Sequence, residues 1–261
     1  MNRNRNIPET LRVGAVTVFF AAMLAGCGGV DTRQALKQAS DAAAEGRWEA
    51  SIELLNAVLD SDPDSIPARV LRGICRHQSR RTTEALEDLE RAANSAPDHF
   101  ESHYFFGWVL VETGNYAEAL LPLRRAHELR PKHVDTLVML SRCCIEQGLA
   151  RNGIEYLSAL KDHKTFARDP ALYNSLAVLW LQLQNEDRAW DNFKRARAMD
   201  ANNLVVLQNL AVFHDQYRND LSKALRYYRR CLSASQEAKD VSHQAAIVQR
   251  LREIARQRRS Q

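Results

Sequence analysis

The chain has 261 residues, of which 45% are hydrophobic and 26% charged, and its 36 basic and 32 acidic side chains give a net charge of +4. This composition is typical of a globular protein and excludes a collagen, a disordered tail or a multi-span membrane protein. The basic surplus is too small over this length to indicate nucleic-acid binding by itself.

The first 26 residues have the pattern of an export signal. Arg3, Arg5 and Arg12 stand against one acid, Glu9, and an uncharged run follows from residue 13 to residue 26. A membrane-spanning helix needs about 20 apolar residues, so this run is too short to span. Basic residues followed by a short apolar run are typical of a secretory signal peptide.

The end of this run resembles the lipobox of bacterial lipoproteins. The four matching residues are Leu24, Ala25, Gly26 and Cys27. The resemblance implies a signal peptide over 1–26, acylation of Cys27, and a lipidated tether over 27–31 that holds the exported chain at a membrane. Gly28, in place of Asp, implies the outer membrane, facing the periplasm. The alternative is an ordinary secretory peptide with an accidental cysteine.

An internal period dominates the rest of the chain. Pro63, Pro97 and Pro131 are 34 residues apart, and each follows an apolar stretch with helical spacing. A fixed period of this length predicts a solenoid of stacked helix pairs. Small residues share one column of the alignment, namely Ala39, Gly73, Gly107, Ser141, Ala177 and Ala211. A bulky column is predicted to pack against the small residues, namely Leu55, Leu89, Leu123, Leu157, Phe193 and Tyr228.

These columns resemble the tetratricopeptide repeat (TPR). The best match lies in residues 100–133, with Phe106, Gly107, Gly114, Tyr116, Ala119, Leu123, Ala126 and Pro131. The resemblance implies an all-α fold, an α-solenoid of about six TPR helix-turn-helix repeats with a C-terminal capping helix. The TPR domain covers 32–238, in repeats 32–65, 66–99, 100–133, 134–169, 170–203 and 204–238.

The last segment, 239–261, is predicted to be a basic capping helix. Ala245, Val248, Leu251 and Ala255 recur at helical spacing, with Ile247 and Ile254 widening the apolar stripe, and the opposite face carries Arg250, Arg256, Arg258 and Arg259. Such a stripe would cover the open apolar face of the last repeat. Within the repeats, Arg72 departs from the pattern because it stands where leucine is usual.

The charges are distributed unevenly along the chain. Residues 31–65 hold eight acidic and three basic side chains, whereas residues 223–261 hold ten basic and three acidic ones. The balance is therefore −5 at one end and +7 at the other. Two interpretations stay open: the basic end meets an acidic partner or anionic wall polymer, or it is a solvated helix face. Nucleic acid is not expected as a partner of an exported chain.

The sequence offers little catalytic chemistry. His99 and His103, with Glu101 between them, could hold a metal from one helix face, but the alternative is a loop histidine followed by a helix-start histidine. The six repeats and the cap leave no room for a catalytic domain, and no cofactor is expected. Cys75 and Cys143 are predicted to lie in equivalent helices two repeats apart, too far for a disulfide, so we expect small buried apolar residues.

Function is therefore expected in a surface. In TPR proteins the first helix of each repeat lines a concave groove, and the resemblance places in it Val70, Ile74, Tyr104, Trp108, Val138, Arg142, Asn174, Val178, Gln208 and Val212. Tyr104 and Trp108 share one helix face and could anchor a peptide, while Asn174 and Gln208 could bind its backbone. The alternative is that the two rings fill space between repeats, with Arg142 stacked on Trp108.

The sequence thus predicts a membrane-anchored, non-enzymatic TPR scaffold that binds other envelope proteins or peptide segments. The leading version resembles the TPR lipoproteins that assist pilus or secretion-system assembly. The alternative resembles adaptors that recruit peptidoglycan hydrolases, and a metal-dependent enzyme based on His99 and His103 is a third hypothesis. The identity of the partner and the oligomeric state stay open.

Overall fold

The structure is a computed structural model that describes residues 30–237 and 244–259, and these ranges contain thirteen α-helices and no strand. The signal sequence, the lipobox and Cys27 lie outside the described residues. The helices are α1 (Val30–Ala44), α2 (Trp48–Ser61), α3 (Ile66–Gln78), α4 (Thr82–Ser95), α5 (Phe100–Glu112), α6 (Tyr116–Leu129), α7 (Val134–Glu146), α8 (Ala150–Ala159), α9 (Pro170–Gln182), α10 (Glu186–Met199), α11 (Leu204–Val212), α12 (Leu221–Glu237) and α13 (Gln244–Arg259).

Repeated helix pairs confirm the predicted all-α fold class. The first helix of a pair packs on the second in α1 with α2, α3 with α4, α5 with α6, α9 with α10 and α11 with α12, and α13 packs on α12 as the terminal helix. The chain divides into two compact units, whose described residues are 30–147 in the N-terminal unit and 148–237 with 244–259 in the C-terminal unit.

The turn inside each pair requires a left-handed backbone. Gly46, Gly114 and Gly148, which share one position of the 34-residue repeat, have φ values of +74°, +82° and +70°, because glycine adopts this region without a steric cost. At the same position of two other repeats, Arg80 and Gln184 adopt φ values of +64° and +56°. Side-chain-bearing residues at positive φ are strained, so these two turns depend on the surrounding helix packing.

The small column lets the two helices of a pair approach closely. A Cβ atom added at Gly107 would lie 2.5 Å from Cγ of Leu123, and one added at Gly73 would lie 2.7 Å from Cγ of Leu89. Both leucines are fully buried, so they would have to shift against other packed atoms to make room for the added Cβ. The bulky side chain of each second helix therefore occupies the room that the glycine of the first helix leaves.

Arg72, which departs from the repeat pattern, pairs with a buried carboxylate. Nε and Nη2 of Arg72 donate to the two oxygens of Asp88 at 2.8 and 2.7 Å, and Nη1 of Arg76 donates to the same carboxylate at 2.6 Å. A third guanidinium nitrogen of Arg72 donates to Oδ1 of Asn56 at 2.8 Å. Asp88 is only 3% exposed, so the two arginines replace the water that its charge would otherwise require.

The C-terminal helix docks through part of the predicted apolar stripe. Ile247 and Ile254 are 2% and 0% exposed, whereas Ala245 and Ala255 of the predicted stripe are exposed. The buried face is thus centred on the two isoleucines, which bury more apolar area than alanine does.

Arg250 corrects the same prediction, because it is half-buried rather than on the outer polar face. Its Nε and Nη2 donate to both oxygens of Asp215 at 2.7 and 2.8 Å, and the hydroxyl of Tyr228 donates to that carboxylate at 3.2 Å. Asp215 lies in a π-helix, Phe213–Tyr217, that continues α11. A paired arginine on the docking face accounts for the error, since helical periodicity alone assigns every arginine to solvent.

Candidate protein-binding surface

Most of the predicted groove residues in the N-terminal unit are buried. Val70 and Ile74 are each 1% exposed, Val138 is 4% exposed and Tyr104 is 5% exposed. These side chains pack between helices and present almost no area to a ligand. The Tyr104 ring therefore fills space inside the protein, which agrees with the packing alternative.

Tyr104 belongs to an aromatic cluster. Its ring stacks on Phe100 at a centroid distance of 5.4 Å and meets the edges of Phe105 and His133 at 4.9 and 5.0 Å. Burial raises the pKa of the Tyr104 hydroxyl well above its ordinary value. Arg130 covers the same cluster, because its guanidinium lies 4.1 Å from the centroid of the Phe100 ring.

Trp108 is half-buried and keeps part of its ring at the surface. His77 contacts it edge-on at a centroid distance of 4.9 Å, and Phe105 lies at 6.2 Å on the inner side. Glu112, one turn further along α5, is exposed. Its negative charge raises the pKa of His77, but burial of the ring lowers that pKa by more, so the net shift is downward. His77, Trp108 and Glu112 thus lie together.

Arg142 lies over the ring of Tyr116, not over Trp108 as the packing alternative supposed. The guanidinium carbon is 5.4 Å from the Tyr116 centroid, and Nη2 donates to the Tyr116 hydroxyl at 3.0 Å. Both side chains are half-buried, so Arg142 is held in one orientation with its charge partly accessible. The sequence could not identify Tyr116 as the partner, because it lies 26 residues earlier, in the preceding repeat.

The predicted groove residues of the C-terminal unit differ in exposure. Asn174 is 5% exposed, and its side-chain oxygen accepts a hydrogen bond from Nδ2 of Asn209 at 3.0 Å. Its amide therefore joins α9 to α11. Val178, Gln208 and Val212 are half-buried, so Gln208 retains a side-chain amide that can reach a bound backbone.

His99 is a helix cap and not an exposed loop residue, which corrects the alternative proposed for the His99 and His103 pair. Its Nδ1 accepts a hydrogen bond from the backbone N–H of Ser102 at 3.3 Å, and its Nε2 lies 3.2 Å from Glu101. His133 caps α7 in the same way, by accepting from the backbone N–H of Thr136 at 3.3 Å. Burial lowers the pKa of both histidines, which favours the neutral ring that this cap requires.

Three of the four ring nitrogens of His99 and His103 have partners within the protein. Nε2 of His103 lies 2.9 Å from the carbonyl oxygen of Pro97, and both nitrogens of His99 are engaged as described above. Over residues 30–237 and 244–259, no group of three or more histidine, cysteine, aspartate or glutamate side chains is arranged to hold a metal ion.

The predicted burial of Cys75 and Cys143 is confirmed, and Cys144 and Cys231 are buried as well. Burial raises the pKa of the Cys75 and Cys144 thiols to about 11 and that of Cys143 to about 12. Because the thiolate is the nucleophile, these three side chains act as small apolar residues and not as reactive groups. Among the helices of the described ranges, none combines the length and the apolar character needed to cross a membrane.

Comparisons with known proteins agree with the repeated helix pairs. Residues 36–99 match the family model described as tetratricopeptide repeat, and residues 88–160 match the model described as subunit 3 of the anaphase-promoting complex, or cyclosome. No curated protein matches the sequence.

Several solved structures share the fold. YrrB, described as a TPR protein with an unusual peptide-binding site, aligns with a TM-score of 0.61 at 17% identity, over 67% of this chain and 89% of its own. MamA from AMB-1 aligns with a TM-score of 0.59 at 20% identity, over 66% and 99%. MamA from Desulfovibrio magneticus RS-1 aligns with a TM-score of 0.58 at 15% identity, over 68% and 99%. The two family models and the repeated helix pairs together support a tetratricopeptide-repeat protein.

Proposed function

We propose that this chain is a lipid-anchored, non-enzymatic scaffold that holds protein partners at a bacterial envelope surface, in pilus or secretion-system assembly. The TPR fold supports the coarser part of this function, since the structural neighbour YrrB is described as a TPR protein with an unusual peptide-binding site. The lipobox residues Leu24 to Cys27 support the anchor. The thiols of Cys75, Cys143 and Cys144 are buried, and His99 and His103 each contact other groups of the protein. Both observations are in keeping with a role in binding.

The observation that carries the binding role is the half-exposed Trp108. A large ring with a polar edge contributes much of the free energy of a protein contact when a partner completes its burial. His77 and Phe105 fix the ring, so little side-chain entropy is lost on binding. The exposed carboxylate of Glu112 adds a negative charge beside the ring, which favours a partner segment that combines an apolar and a basic residue.

A pull-down from envelope extracts tests the binding role. The wild-type chain should retain a specific partner, Trp108→Ala should weaken its capture about ten-fold or more, and the melting temperature should change little. Trp180→Ala is the matched control, because Trp180 is also half-buried but is covered by Arg188 at 4.4 Å.

Two outcomes would contradict this assignment. One is unchanged capture by Trp108→Ala with a large loss of melting temperature, which would make the ring a packing element like Tyr104. The other concerns the process: recovery of peptidoglycan hydrolases in place of pilus or secretion subunits, identified by mass spectrometry, would replace the leading version by the adaptor alternative.

Metabolic labelling with a fatty acid tests the anchor. The full chain should incorporate the label and fractionate with membranes, whereas Cys27→Ser should lose both. Gly28→Asp is the matched control, because it keeps the acylated cysteine and changes the residue expected to direct sorting to the outer membrane. Export of an unlabelled, soluble wild-type chain would show an ordinary secretory peptide instead.

A further inference from the structure

The second helices of the repeats carry a charge that changes sign along the chain. Helix α2 has three acidic residues and no basic one, and α4 has four acidic and one basic. Helices α6 and α8 are balanced, α10 has four basic and three acidic residues, and α12 has four basic and one acidic. The balance therefore runs from −3 in α2 to +3 in α12.

The acid residues of α2 lie on one exposed face. Glu49, Glu53 and Asp60 are all exposed, and their spacing of four and seven residues places them on the same side of the helix. Ala57 is exposed between them and Leu54 is half-buried, so a small apolar area lies within the negative rim. Glu49, Glu53 and Asp60 are called the acidic face.

Three arginines of α12 form an exposed face of the opposite charge. Arg226, Arg229 and Arg230 are exposed at spacings of three and four residues, and a cleft lined by Ser222, Leu225, Arg226 and Arg229 lies along this side. Arg230 donates to Asn202 at 3.2 Å, and the guanidinium of Arg226 lies 5.3 Å from the Tyr227 ring, which restrict both side chains. Arg226, Arg229 and Arg230 are called the basic face.

We infer that the acidic face of one copy of this chain binds the basic face of a second copy. The three carboxylates of the acidic face and the three guanidiniums of the basic face are opposite in sign and equal in number. Every copy of the chain carries both faces, so the acidic face of any copy has a complementary partner on another copy. Like charges repel when a face meets the same face of another copy, so the contact of opposite faces is favoured over either contact of identical faces.

The contact is expected to be weak and sensitive to salt. Exposed ion pairs contribute little each, because water and ions screen them. Self-association should therefore be clear at low ionic strength and disappear in ~1 M salt, where the Debye length is about 3 Å.

Sedimentation velocity of the purified full chain tests the inference by charge exchange. One variant carries Arg226→Glu, Arg229→Glu and Arg230→Glu, and the other carries Glu49→Lys, Glu53→Lys and Asp60→Lys. Each variant alone should self-associate at least about ten-fold more weakly than wild type, and an equimolar mixture should recover a complex that contains both variants. Lys132→Glu with Lys164→Glu is the control, because both lysines are exposed in turns away from these helices.

Association of the two variants in the mixture distinguishes a contact between copies of the chain from binding of another ligand by the same charged side chains. Wild-type chain that stays monomeric at low salt would overturn the inference, and so would two weakened variants whose mixture fails to associate. Binding of an anionic polymer or acidic peptide by the basic face in a monomeric chain would assign that face to a different partner. Circular dichroism of each variant confirms that the helices remain folded.

Discussion

Replacement of Asp88 by alanine tests whether its carboxylate allows Arg72 to occupy a repeat position where leucine is usual. The carboxylate is 3% exposed and accepts three hydrogen bonds from Arg72 and Arg76 at 2.6 to 2.8 Å. Its removal leaves two guanidiniums whose side chains are 15% and 14% exposed. Loss of one partner of a buried pair costs about 3–5 kcal/mol, and the remaining access to water reduces this to about 2–3 kcal/mol here.

Urea denaturation followed by circular dichroism measures this loss. Glu87→Ala, on an exposed position of the same helix, should change the free energy of unfolding by less than about 0.5 kcal/mol. In a double-mutant cycle, Arg72→Leu should recover about 1 kcal/mol or more of the Asp88→Ala loss, since an apolar side chain needs no counter-charge. A loss from Asp88→Ala as small as that from Glu87→Ala, or strictly additive changes, would refute the reasoning.

Three further predictions concern the contact between Gly107 and Leu123, the turn at Arg80, and the histidine side chains that cap two helices. Gly107→Ala should destabilise the fold by about 1–3 kcal/mol because its Cβ would meet Leu123, and thermal melting would show no change if the helices can separate freely. Arg80→Gly should raise stability by about 0.5–1 kcal/mol through relief of the positive φ, and a lower melting temperature would contradict this. Burial lowers the pKa of His99 and His133 from 6.5, so their contribution to folding stability is complete above about pH 6.5 and is lost as the pH falls through the lowered values. The variant with His99→Asn and His133→Asn should therefore lose less melting temperature at acid pH than the wild type. An unchanged dependence of melting temperature on pH would count against the two caps.

The repeat period allowed the helix pairs to be predicted, because each position of a repeat has the same neighbours in the next one. Gly107 and Leu123 illustrate this, since a small and a bulky column already indicate which two side chains meet. The groove residues were harder, because the same period does not reveal how deeply each side chain is buried. Tyr104 and Trp108 are one turn apart on α5, yet the first is 5% exposed and the second is half-buried.

The sequence by itself determined the class of fold, the small and bulky columns and the reversal of charge between the two ends, since these depend on residues at fixed spacing. Only the tertiary structure decided which polar side chains are paired. Arg72 meets Asp88 across 16 residues, and Arg250 meets Asp215 across 35. Such partners have no fixed spacing, because packing of separate helices brings them together, and burial then makes the pairing obligatory through the high cost of an unpaired charge.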